Sequence, residues 1–200
     1  MAEGILFFGA STTWGAWDRE KGGWVNRIRL FLDNKDSDFF VYNSGVSGDT
    51  TEDMLRRFEI ELKARDPEII VISIGDNDSV VESINGKNWV SLDKYGGNIK
   101  SLIEISKKYT NKILFLSLKK IDEKKTMPVS WGSYYYTNST IAKYNDKLKE
   151  VCSISAVEFL DILELLSEND LDDGLHPNAK GHEKIAHKVM QKLAEKRWVF

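Results

Sequence analysis

A chain of 200 residues with a formal net charge of −3, 42% hydrophobic and 30% charged residues, has the size and make-up of a single domain over residues 1–200 that can bury a substantial core. So mild a charge gives no electrostatic reason for a nucleic acid or an anionic membrane as partner. Cys152 is the only cysteine, which excludes an internal disulfide and a thiolate zinc site and leaves core filling as its role.

In chain order, the first β-rich run is Ile5 to Phe8. The apolar stretch around it, Gly4 to Gly9, is too short to span a bilayer or act as a secretion signal, and no basic region precedes it, so a cytoplasmic location is expected. Trp24, Ile28 and Phe31 then recur at helical spacing, followed by a strand from Phe39 to Tyr42 and a helix with Leu55, Phe58 and Leu62 on one face. Pro67 ends that helix, because proline disfavours helical geometry in the residue before it. A strand from Ile69 to Ile74, a helix bearing Tyr95, Ile99, Leu102 and Ile103, and a strand from Ile113 to Leu118 come next. Lys119 to Asn138 lacks clear periodicity and holds Pro128 with Trp131, Tyr134, Tyr135 and Tyr136; long irregular loops are often functional, so it is a candidate pocket wall. A helix with Ile141, Tyr144, Leu148 and Val151, a strand from Val157 to Leu160, and a last helix with Ile185, Val189 and Leu193 complete the chain. Such β-α alternation predicts an α/β fold: a doubly wound, five-stranded parallel sheet of flavodoxin-like order with helices on both faces. Ligands then bind beyond the carboxyl ends of the strands, where strand order reverses.

Four segments fall there. Gly9-Ala10-Ser11-Thr12-Thr13-Trp14-Gly15 follows the first strand and sets a serine hydroxyl at the sheet edge, with its own N–H free to face an anion. A phosphate cradle or a plain turn would read the same way. Asn43 to Thr50 follows the second strand; its glycines Gly45 and Gly48 let the backbone approach a ligand, or the segment is a turn capped by Asp49 or Thr50. Gly75-Asp76-Asn77-Asp78 follows the third, with an asparagine that can donate to developing negative charge, held by its flanking carboxylates, or that forms an Asx turn. Asp173-Gly174-Leu175-His176-Pro177 precedes the last helix: a carboxylate three residues ahead of a histidine can orient one ring nitrogen and leave the other to take a proton from serine. Asp172 is at the wrong spacing and should be solvated. His182 and His187 lie five apart on a helix and face different ways, so no metal pair is expected, and surface or partly buried positions account for both.

Together the four segments, in this order, resemble the blocks of the SGNH, or GDSL-like, hydrolase superfamily. The resemblance implies a three-layer α/β/α fold and hydrolysis of esters or thioesters without metal or organic cofactor. It implies Ser11 as nucleophile, the Ser11 N–H, Gly48 and Asn77 as oxyanion donors, His176 as general base and Asp173 as its orienter. One departure is Ala10, where the family usually has aspartate; a polar anchor of the nucleophile loop is missing. The expected substrate is a small acyl ester such as an acetylated carbohydrate, with Trp14, Trp131 and Tyr134 as candidate substrate contacts. Trp17, Trp24 and Trp89 could also stack on sugars, with packing favoured for Trp24. Two rivals stand: a flavodoxin-like small-molecule binder, and a catalytically impaired relative that binds carbohydrate or lipid. Oligomeric state is not legible.

Overall fold

The computed structural model describes residues 3–35, 37–83 and 86–200. Its elements in chain order are β1 (Glu3–Gly9), α1 (Ser11–Trp14), α2 (Trp24–Asp33), β2 (Phe39–Gly45), α3 (Thr51–Arg65), β3 (Ile69–Ser73), α4 (Leu92–Ser106), β4 (Ile113–Leu116), α5 (Glu123–Thr126), α6 (Asn138–Ile154), β5 (Glu158–Leu160) and α7 (Ala179–Glu195). All strand pairs are parallel, in the order β2-β1-β3-β4-β5.

The strands read as unbroken apolar runs because both faces of the sheet are covered. Leu6, Phe8, Ile70, Ile72, Ile113 and Phe115 point to one side, where α3, α4 and α6 deliver Phe58, Leu62, Ile99, Leu102, Ile141 and Leu148. Ile5, Phe7, Val71, Leu114 and Leu116 point to the other, against Trp24, Ile28 and Leu32 of α2 and Ile185, Val189 and Leu193 of α7. Three layers result. The chain leaves β1 to one side for β2 and crosses back to β3 on the other, so the loops after these strands surround one crevice at their carboxyl ends.

Boundaries differ from the pattern for identifiable reasons. β2 continues through Asn43, Ser44 and Gly45, which the pattern assigns to a loop, because β1 carries them in register as partners of Phe7, Phe8 and Gly9. β3 and β4 stop at Ser73 and Leu116, although Ile74 and Leu118 remain buried; here burial outlasts strand pairing. β5 begins at Glu158, since the Val157 amide still donates to the Cys152 carbonyl at the end of α6. Phe31 lies off the buried stripe of α2 and is exposed. Beside Pro67, α3 ends at Arg65 and Asp66 turns left-handed at φ 41°. α1 and α5, four residues each, are too short for periodicity to reveal. Among the described residues, no helix is long and apolar enough to cross a membrane.

Candidate active site

Ser11 opens α1 directly beyond β1. The turn is tied to the sheet: the Val46 amide donates to the Gly9 carbonyl at 3.0 Å, and the Asn43 side-chain amide donates to the Thr13 carbonyl at 2.9 Å. As the first residue of a helical turn, Ser11 has no intrahelical acceptor for its N–H.

Across the crevice, the loop before α7 brings up the C-terminal pair. The Ser11 hydroxyl lies 2.8 Å from His176 Nε2, and His176 Nδ1 lies 2.7 Å from Asp173 Oδ2. An Nδ1–H donating to Asp173 leaves Nε2 as the acceptor of the serine proton. Asp173 is held by its own turn, because Oδ1 accepts the backbone amides of Leu175 at 3.0 Å and His176 at 2.8 Å. Burial pushes the Asp173 carboxyl up, but the hydrogen bonds from the His176 ring and backbone outweigh it and hold the group well below the usual carboxylate range. The carboxylate is therefore ionised wherever the histidine can act as a base. Asp172 is exposed.

Asn77 is buried, but the carboxylates beside it do not hold it. Asp76 pairs with the buried Lys119, while Asp78 accepts the amide of Thr51 at 3.1 Å and its hydroxyl, and burial raises Asp78 to about 6. Instead the Asn77 Nδ2 donates to the Asp49 carbonyl at 2.8 Å, and its Oδ1 accepts the Tyr136 hydroxyl at 2.8 Å. These partners come from distant segments, which is why local reading missed them. Burial raises Tyr136, so it stays a hydroxyl donor. Asn77 also lines an enclosed space of about 10 Å³ together with Ala10, Ser11, Ile74, Gly75 and Leu175, and one of its two amide protons is not used in the bond to Asp49.

Gly48 sits exposed in the β2–α3 loop with φ 87°, a backbone that only glycine takes up readily. The helix cap is Thr50, which forms a capping box with Asp53, while Asp49 pairs with Arg57. Trp14 is 60% and Trp131 43% exposed, and the Trp131 ring lies 5.8 Å from the His176 ring. Tyr134 stands further back, half-buried, against Trp89 at 5.1 Å and Tyr136 at 6.1 Å. It packs on the cluster that holds Leu175 and Tyr136, the latter bonded to Asn77. Trp24 is buried edge-to-face on Phe7. His182 corrects the sequence reading: it is fully buried, accepting the Trp24 amide at Nδ1 and donating from Nε2 to the Ala16 carbonyl. His187 is exposed. A roomier groove of about 390 Å³ runs between α2 and α7, past Arg27, Phe31, His187 and Met190, but it contains none of these reactive groups.

Comparison with known proteins identifies the family and the fold. The model of the GDSL-like Lipase/Acylhydrolase family matches residues 7–184. An uncharacterized lipoprotein of Bacillus subtilis is 29% identical over 155 residues, covering 72% of this chain, which in turn spans only 59% of that protein. The isoamyl acetate-hydrolyzing esterase 1 homolog of Homo sapiens is 26% identical over 194 residues, covering 90% of this chain and 76% of its own. Among solved structures, an acetylxylan esterase from Geobacillus stearothermophilus superposes with a TM-score of 0.74 at 23% identity over 96% of this chain and 94% of its own, a likeness of fold. With the family model matched from within β1 into α7, the chain belongs to the GDSL-like lipase/acylhydrolase family of ester hydrolases.

Proposed function

We propose that the protein hydrolyses small acyl esters, such as acetylated carbohydrates, through an acyl-enzyme on Ser11. The observation that carries this reading is the continuous relay from the Ser11 hydroxyl to His176 and on to Asp173, at 2.8 and 2.7 Å. His176 takes the serine proton as Oγ attacks the acyl carbon. The amides of Ser11 and Gly48 and the free Asn77 amide proton receive the negative charge on the carbonyl oxygen. The imidazolium, held by Asp173, then protonates the departing alcohol. Water activated by the same histidine releases the acid and restores the serine.

Two features support a short acyl group and a polar alcohol. The enclosed space beside Ser11 is about 10 Å³, room for about one water molecule, so it offers no room for a long acyl chain. The rim instead carries the exposed Trp17 and Trp131 beside the Asp173–His176 pair, and Trp14 of α1 is exposed as well; such rings suit the flat apolar face of a sugar. The name of the acetylxylan esterase relative accords with this choice.

A series of p-nitrophenyl esters from acetate to octanoate tests the reading. Turnover is expected to be highest on acetate and to fall steeply beyond butyrate. Ser11→Ala should lose at least roughly a thousandfold in kcat, and diethyl p-nitrophenyl phosphate should add its phosphoryl mass to Ser11. Equal rates for wild type and Ser11→Ala would remove the serine from the reaction.

A further inference from the structure

Residues 15–23 join α1 to α2 in a loop clamped at three places. At its mouth backbone meets backbone: a Cβ added to Gly15 would lie 2.2 Å from the Gly22 carbonyl oxygen, and one on Gly23 would lie 2.3 Å from the Gly15 Cα. The Ala16 carbonyl accepts from His182 Nε2 at 2.8 Å. The enclosed Asp18 carboxylate accepts the amides of Lys21 at 3.1 Å and Gly23 at 3.0 Å, together with Arg27 Nε at 2.7 Å. Trp17 lies between the two anchored residues and is held at φ 66°, a left-handed backbone that a bulky side chain takes only when its surroundings impose it. Packing does not explain the choice of residue, since the side chain is 45% exposed. Its indole Nε1–H, however, donates to Asp173 Oδ2 at 2.7 Å, the same oxygen that serves His176 Nδ1.

We propose that Trp17 is a positioning residue of this active site, whose indole N–H fixes the Asp173 carboxylate towards His176 and keeps water from its outer oxygen. The inference rests on the Ser11–His176–Asp173 reading above. Asp173 Oδ1 is taken by the Leu175 and His176 amides, so Oδ2 is the one oxygen whose second lone pair faces the open rim. The indole fills that position, with its ring edge-on to the imidazole at 6.4 Å and 78°. Arg19 lies over the indole at 5.8 Å from the ring centre, the exposed Asp172 stands beside Asp173, Lys125 reaches the Asp172 carbonyl, and Asp76, paired with Lys119, lines the space beside Ser11. By sharing the negative charge of Oδ2, the indole moderates how strongly the carboxylate stabilises the protonated imidazole.

Trp17→Phe keeps the ring and removes the donor. Its kcat on p-nitrophenyl acetate is expected to fall about tenfold, the low end of what a hydrogen bond to a charged group is worth, with KM little changed. The acid limb of the kcat/KM–pH profile, which reports protonation of the general base, is expected to move to higher pH. A purely structural role would leave that limb in place. A second measurement does not need this variant: in wild-type protein, one of the six indole N–H resonances should lie downfield and exchange slowly, and Asp173→Ala should shift it. Wild-type kcat and an unmoved acid limb in Trp17→Phe, or no indole resonance responding to Asp173→Ala, would overturn the assignment. If Ser11→Ala is inactive while Trp17→Phe matches wild type, the inference about Trp17 fails alone; an active Ser11→Ala fails the hydrolase reading itself.

Discussion

Substituting Asn77 and Tyr136 separately distinguishes a group that stabilises the transition state from one that holds it. The Asn77 Nδ2 carries two protons, one given to the Asp49 carbonyl and one that the proposed mechanism assigns to the oxyanion, while the Tyr136 hydroxyl occupies Oδ1. Asn77→Ala removes a donor aimed at developing charge, and losses of this kind are about 10²–10³ in kcat, or roughly 3–4 kcal/mol. Tyr136→Phe leaves the donor in place but strands a buried acceptor, at about 1–3 kcal/mol of stability. For a chain of this size each kcal/mol moves the melting point by roughly 2–4 °C, so a fall of about 2–12 °C is expected. Turnover should suffer less, because a flipped Asn77 amide would set its oxygen against the Asp49 carbonyl, and that repulsion still selects the working orientation; a loss of about three- to tenfold follows. Initial rates on p-nitrophenyl acetate, with kcat and KM resolved, and calorimetric melting of each variant give the comparison. Asn77→Ala keeping more than about a tenth of wild-type kcat, with a lowered melting point, would make Asn77 a structural residue and refute the reasoning.

Two further outcomes concern the loop that carries Trp17. Burial lowers His182 below its ordinary value of 6.5, and the fold uses the neutral ring as both donor and acceptor. A histidine held neutral contributes stability that is fully present above the unfolded value and is lost as pH falls from there towards the folded value. Melting points between pH 8 and pH 5 should therefore drop more for wild type than for His182→Gln, and parallel curves would count against a neutral buried ring. Asp18 is lowered to about 2, because the Arg27 hydrogen bond and the loop amides outweigh its burial. Arg27→Met leaves that carboxylate buried without its cation and should cost about 3–5 kcal/mol in chemical denaturation; a loss below about 1 kcal/mol would mean that the backbone amides alone suffice.

The fold was legible because each strand is buried on both faces and each long helix on one, so burial wrote itself into apolar runs and 3.6-residue stripes. Ser11, Asp173 and His176 were singled out for a different reason: a carboxylate three residues before a loop histidine is hard to explain as packing, whereas the serine beyond the first strand, which a cradle or a turn would explain as well, drew its role from the resemblance of all four segments in order. What stayed hidden depends on contacts between distant parts of the chain. Tyr136 reaches Asn77 across 59 positions and Trp17 reaches Asp173 across 156, and no local period or spacing encodes either meeting. His182 misled because its helix position suggests a side chain near the surface, whereas the loop after α1 and the start of α2 cover it and take one ring nitrogen each, through Ala16 and Trp24. The flanking carboxylates misled in the opposite way, since nearness to Asn77 in sequence does not overcome a strand-end geometry that turns Asp76 to Lys119 and Asp78 to Thr51.

Ala10 ties these points together. Where the family pattern has a carboxylate, this chain has a methyl group packed in the apolar cluster that includes Leu6, Phe8 and Ile74. The nucleophile turn is held from other directions: Trp14 donates to the Ala10 carbonyl at 2.9 Å, Val46 to Gly9, and Asn43 to Thr13. All three bonds involve backbone groups of the turn, so they fix the path of the chain around Ser11 independently of the side chain at position 10. The imidazole opposite is fixed by Asp173, and Asp173 in turn by two amides and the indole of Trp17. Rigidity on the two sides of the crevice thus has separate sources, which is why loss of a polar group beside the serine need not loosen the 2.8 Å contact between Ser11 and His176.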